Sequence, residues 1–235
     1  AAADKLGKLA PMSPHLIHMP AHIYIRVARY GDAVRANQTA VGQEVKLAEQ
    51  LKDQNFKVVK NWDPHNLHFL WFASMMDGRA DTALETARRI AKRGENGTYM
   101  YNEYQRGLPV LSLVRLQRWE DVLTEPVPKA EEKFGSALHG YARAAALANM
   151  GKLADARKAG APLEAMVAEI KAKRRPGDEE KFILPVVETL LYWQRAEIAM
   201  AAGDMEAAIA AAKASVDVED EIEAREPPLL GAGSR

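Results

Sequence analysis

The strongest constraint on this chain is a short phrase that recurs along it: an apolar or aromatic segment, a glycine, a polar residue, then an alanine-rich segment. It occurs as Arg29-Tyr30-Gly31-Asp32-Ala33, Met76-Asp77-Gly78-Arg79-Ala80, Asn149-Met150-Gly151-Lys152-Leu153 and Ala201-Ala202-Gly203-Asp204-Met205. A less obvious copy, Arg118-Trp119-Glu120-Asp121-Val122, has Trp119 in place of Tyr30 and Glu120 in place of Gly31. Each phrase reads as the turn of a helical hairpin. The turns fall at positions 31, 78, 120, 151 and 203, separated by 47, 42, 31 and 52 residues, as hairpins joined by unequal linkers would be. Short hairpins cannot bury their apolar faces alone and must stack. The expected fold is all-α, a single domain over residues 1–235, with hairpins near 12–50, 64–94, 98–124, 130–171 and 181–222.

Histidine is distributed with the same periodicity. Ser13-Pro14-His15-Leu16-Ile17-His18-Met19-Pro20-Ala21-His22 is echoed by Asp63-Pro64-His65-Asn66-Leu67-His68, so five of the six histidines lie in two related stretches. A side-chain oxygen before proline fits a helix N-cap followed by the first helical residue, where a missing amide is harmless. Helical geometry then places His15, His18 and His22 on one face, and His65 and His68 on another. Pro20 predicts a kink or a first segment ending near His18. Counting back from the glycines, His18 and His65 each stand thirteen residues before a turn, and His139 stands twelve before Gly151. This phase predicts that His18 and His65 are neighbours.

Composition narrows the function classes. The 32 basic and 32 acidic residues balance, leaving no field to gather nucleic acid. The basic run Lys171, Lys173, Arg174 and Arg175 is followed at once by Asp178, Glu179 and Glu180 and reads as a solvated linker. No cysteine is present, which excludes disulfides and thiolate metal sites. No apolar run is long enough to span a membrane, so membrane insertion is not expected, and the cellular compartment stays open between cytoplasm and periplasm. Neither a nucleophile-elbow serine nor a phosphate-binding glycine loop occurs, so nothing marks the chain as an enzyme.

The strings His15-Leu16-Ile17-His18-Met19-Pro20-Ala21-His22-Ile23-Tyr24, Pro64-His65-Asn66-Leu67-His68-Phe69-Leu70, Arg118-Trp119-Glu120-Asp121-Val122-Leu123 and Glu226-Pro227-Pro228, with the turns, resemble a bacterial branch of tetratricopeptide repeat (TPR) domain proteins. The resemblance implies a TPR-like α-solenoid of stacked antiparallel hairpins, whose concave face is lined mainly by the first helix of each pair. It also implies that these residues are the middle of a longer superhelix, with further repeats on both sides.

Two functions follow as expectations. One is a scaffold that binds a protein or peptide on the concave face, with His15, His18, His22, His65, His68, Trp71, Tyr104 and His139 as ligand-binding candidates. Helix starts at Pro14 and Pro64 would suit an anionic group. The other is a site for a divalent transition metal, zinc or copper, shared by the first two hairpins: His18, His22, His65 and His68, with His15 as substitute. Against both stands a purely structural role, in which the imidazoles set the register of the stack. Trp62, Phe69, Trp71 and Phe72, and Tyr99, Tyr101 and Tyr104, read as packing between repeats or as a ligand wall.

Overall fold

The structure is a computed structural model that describes residues 2–54, 63–173, 183–220 and 226–230. It is all-helical in these residues. In chain order the helices are α1 (Ala2–Leu9), α2 (Pro14–His18), α3 (Pro20–Arg26), α4 (Tyr30–Leu51), α5 (Asp63–Met76), α6 (Ala80–Arg93), α7 (Met100–Arg115), α8 (Trp119–Thr124), α9 (Lys133–Asn149), α10 (Leu153–Lys173), α11 (Ile183–Ala201) and α12 (Met205–Glu219), with a 3-10 turn Lys52–Gln54 after α4. Trp62 and the charged run from Arg174 to Glu180 lie outside the described residues, as does the side chain of Asp63.

Five junctions share one geometry. A single residue with positive φ follows the helix at Ala28 (58°), Gly78 (73°), Gln117 (56°), Gly151 (75°) and Gly203 (80°). The next amide then donates to a carbonyl five residues back: Arg29 to Tyr24, Arg79 to Ser74, Arg118 to Leu113, Lys152 to Leu147 and Asp204 to Ala199, all at 2.8–2.9 Å. This is a left-handed helix closure, which satisfies carbonyls that the ending helix leaves free. The next helix starts two residues after the left-handed one in every case.

The geometry corrects two of the expected turn positions. Gly31 and Glu120 lie inside α4 and α8, and the turning residues are Ala28 and Gln117, three positions earlier. Glycine permits a left-handed backbone without compelling it. Ala28 and Gln117 adopt it because the bonds Arg29 to Tyr24 and Arg118 to Leu113 hold them there. Arg29 and Arg118 then reach three residues forward, their Nε–H groups donating to Asp32 at 2.6 Å and to Asp121 at 2.5 Å.

The chain groups into two compact units, residues 1–90 with 225–231, and residues 91–224 with 232–235. In the first, Ala21, Tyr24, Ala33, Val34, Phe69, Leu70 and Ala73 form the core, with Ala3 from α1. α5 is apolar nearly all round, and Leu67, Phe69, Leu70, Trp71, Phe72, Ala73 and Met75 are all buried. α4 is amphipathic, burying Ala33, Val34, Asn37, Ala40 and Val41 at helical spacing. In the second unit α9 is the counterpart of α5. It buries thirteen of its seventeen residues and packs against α7, α8, α10 and α11. Glu103 of α7 accepts from the Gly135 amide at 2.8 Å, satisfying a donor in the first turn of α9.

The proline at position 20 acts as expected. With no amide to continue the ladder, it ends α2 at His18 and starts α3 after Met19. The Ser13 side chain caps α2 by accepting from the Leu16 amide.

The turn geometry predicts opposite signs for two substitutions. Gly151→Ala, which puts a Cβ on a left-handed residue, should lower stability by roughly 1 kcal/mol, whereas Ala28→Gly should leave it unchanged or raise it. Urea unfolding of both variants checks this, and equal destabilisation by the two would refute the assignment of Ala28 as a turning residue.

Candidate metal centre

Three histidines from three helices converge: His18 at the end of α2, His22 in α3 and His65 in α5. The Nε2 atoms of His18 and His22 are 3.0 Å apart, those of His22 and His65 are 3.5 Å apart, and the three ligating nitrogens all lie within 4.8 Å of one another. Bonds of 2.0–2.1 Å to a tetrahedral ion imply an edge of about 3.3 Å between ligand nitrogens. Two of the separations bracket that value.

The break at Pro20 leaves His18 in α2 and His22 in α3. His22 is reached across two short helices instead of one continuous one, and its amide bonds to Met19 O at 3.3 Å. Phe69 forms the floor. Its ring centroid lies 4.7 Å from that of His18, 4.5 Å from His22 and 4.9 Å from His65. Phe69 and His18 have no exposed surface, whereas the His22 side chain retains 23 %.

The partners of the outer ring nitrogens fix the tautomers. Asn37 Nδ2 donates to Ala33 O at 2.8 Å, so its oxygen must face His18, whose Nδ1 lies 2.7 Å away. His18 therefore carries its proton on Nδ1 and presents a lone pair at Nε2. His22 Nδ1 lies 2.5 Å from Glu226 Oε2, and an ionised carboxylate only accepts. A neutral His22 thus also presents a lone pair at Nε2. Two lone pairs that face each other at 3.0 Å repel unless a cation, either a proton or a metal ion, sits between them.

Burial disfavours charge on His18 and His65. Burial pushes His18 down to about 3, outweighing the Asn37 hydrogen bond, and neighbouring imidazoles add to the effect. Burial also lowers His65, with a further contribution from His22, and it lowers His15. Glu226 is opposed by burial, but hydrogen bonds from His22 and Arg26 still hold it below the usual carboxylate range. Rings held neutral, as burial favours for His18 and His65, and an ionised outer carboxylate are protonation states that suit metal ligation.

The remaining candidates are placed differently. His15 stacks on His18 with centroids 6.1 Å apart and lies outside the converging set. His68, expected as a fourth ligand, is also outside it: its buried ring stacks on Trp71 at 5.4 Å, on the packed side of α5. Trp71 and Tyr104 are themselves buried. His139 belongs to the second unit, where its Nε2 lies 3.5 Å from Glu125 O. The thirteen-residue phase placed His18 beside His65, and their centroids are 4.8 Å apart. With Ala28 as the turning residue, however, the partner of His65 in phase is His15, and that of His18 is His68. Asn37 had no signal in the sequence pattern, and Glu226 stood out only within the string Glu226-Pro227-Pro228, with no role at the histidines. Ordinary polar residues on a helix and near a proline pair acquire a role only through contacts 19 and 204 residues away.

A pH dependence follows. His18 and His68 each titrate near 3 when folded, against an ordinary 6.5. Because the unfolded chain binds the extra protons, their contribution to stability is complete above about pH 6.5 and declines as pH falls toward 3. In metal-free protein the urea midpoint should be flat from pH 8 to 7 and fall steadily from pH 6.5 to 4.5, above the range of the carboxylates. A midpoint unchanged across that interval would contradict the burial of neutral imidazoles.

No family model, curated protein or solved structure matches the chain.

Proposed function

We propose that this chain is a metal-binding helical-repeat protein that holds one divalent transition ion, zinc or copper, between His18, His22 and His65. The observation that carries the proposal is the pair of tautomer-locked imidazoles with facing Nε2 atoms, joined by a third Nε2 at 3.5 Å. A proton can bridge two nitrogens; a metal ion can satisfy three. Three neutral nitrogen ligands leave a fourth position for water or a ligand, an arrangement suited to zinc, and imidazole serves copper equally. His15, stacked on His18, is the nearest further imidazole on α2. The five matching turns support a TPR-like solenoid as the scaffold that brings the histidines of α2, α3 and α5 together.

The test is elemental analysis of tag-free protein followed by zinc and copper titration. One equivalent of metal is expected in the parent, with affinity at least 10-fold weaker in His18→Ala and His65→Ala, and little change in His68→Leu or His139→Ala. A parent that takes up neither zinc nor copper overturns the proposal.

A second reading, a protein- or peptide-binding scaffold, is favoured by Tyr99, Met100 and Tyr101, exposed side by side at the start of α7. Rigid aromatic side chains exposed together are common anchors of protein contacts. A partner captured by the chain should be lost with the double variant Tyr99→Ser, Tyr101→Ser and kept with His18→Ala. Equal capture by all three proteins would remove this patch from consideration.

A further inference from the structure

Glu226 is the only acidic side chain found bonded to the histidine cluster among the described residues, and it comes from the far end of the sequence. Its Oε2 accepts from His22 Nδ1 at 2.5 Å, while Oε1 is gripped by the Arg26 guanidinium through both Nε and a terminal nitrogen. Both guanidinium nitrogens meet the same oxygen, so Arg26 anchors Oε1 while His22 Nδ1 donates to Oε2, and the two contacts together orient the carboxylate against the imidazole. Pro227, the next residue, is buried, so the segment 226–230 is seated on the first unit, to which it belongs.

We infer that Glu226 is the positioning residue of the metal centre, and that metal binding and the seating of segment 226–230 on α3 reinforce each other. The inference rests on the metal-binding reading above. An ion on Nε2 withdraws electron density from the ring and makes Nδ1–H a stronger donor to Glu226. In return, the carboxylate makes the imidazole a more basic ligand and holds Nε2 on target. Linkage requires the two effects to be equal: whatever Glu226 adds to metal affinity, the metal adds to the attachment of the segment. Arg26 acts one step further out by holding the carboxylate, so its removal has the smaller effect.

The experiment uses the full 235-residue chain, with zinc as the probe. Zinc affinity is measured by competition with a chromophoric chelator, and hydrogen exchange is followed at the Glu226, Leu229 and Leu230 amides with and without zinc. In the parent, zinc should bind at one equivalent and slow exchange at these amides. Glu226→Ala should weaken zinc binding 10- to 100-fold and abolish the zinc-dependent protection. Glu226→Gln, which keeps an acceptor for His22 but not the charge, should fall between the two. It carries the test if the alanine variant does not fold. A purely structural Glu226 would alter exchange equally with and without zinc and leave zinc affinity unchanged. Zinc binding by the parent with unaltered affinity in both variants, or with no zinc-dependent protection, overturns this inference and leaves the metal site standing. Failure of the parent to bind zinc or copper overturns both.

Discussion

The structure depends on one backbone arrangement used five times, a left-handed residue after a helix followed by an amide bonded to a carbonyl five positions back. It ends one helix and starts the next within two residues. The packing pattern follows: α5 and α9 are apolar on nearly every side, while α4, for example, contributes a single stripe. The convergence of His18, His22 and His65 draws on the same constraint. Closing the first pair at Ala28 lays α4 back along α2 and α3, which puts Asn37 against His18.

A buried cluster of imidazoles is an expensive thing to build, since each ring must surrender hydration and remain neutral. Here the expense is contained by making each outer nitrogen's partner do two jobs. Asn37 ties back to Ala33 as it accepts from His18, and Glu226 ties to Arg26 as it accepts from His22. Phe69 contributes edge and face contacts but no hydrogen-bonding group, so the inner Nε2 atoms have one another and whatever cation lies between them.

Much of this was legible from residue order alone, for definite reasons. Helix periodicity and hairpin turns are local, and the all-α class follows from them. Pro20 announced the break because a missing amide acts within one turn of helix. The ridge of His18 and His22 was legible from spacing, whereas its approach to His65 was reached through a phase counted to Gly31, which is not the turning residue. Less legible was the turn itself: Gly31 looked like the punctuation, yet Ala28 bends the chain, because the bond from Arg29 to Tyr24 holds a non-glycine residue in the left-handed region. The separation of His65 from His68 was also hidden, since a 60° difference in direction decides between a metal centre and a Trp71 stack. The role of Glu226 could not be read, since its place before Pro227 and Pro228 marked the string and no pattern in residue order connects it with His22.

The uneven surroundings of the three imidazoles give the site a direction. His18 and Phe69 close it from within, and His22 with Glu226 forms the side that retains exposure. In the proposed metal site, the carboxylate that holds His22 would therefore stand on a side from which an ion can approach. Capture and release would then be governed at the same atom pair. How quickly an ion exchanges and how firmly it is held become two readings of one contact.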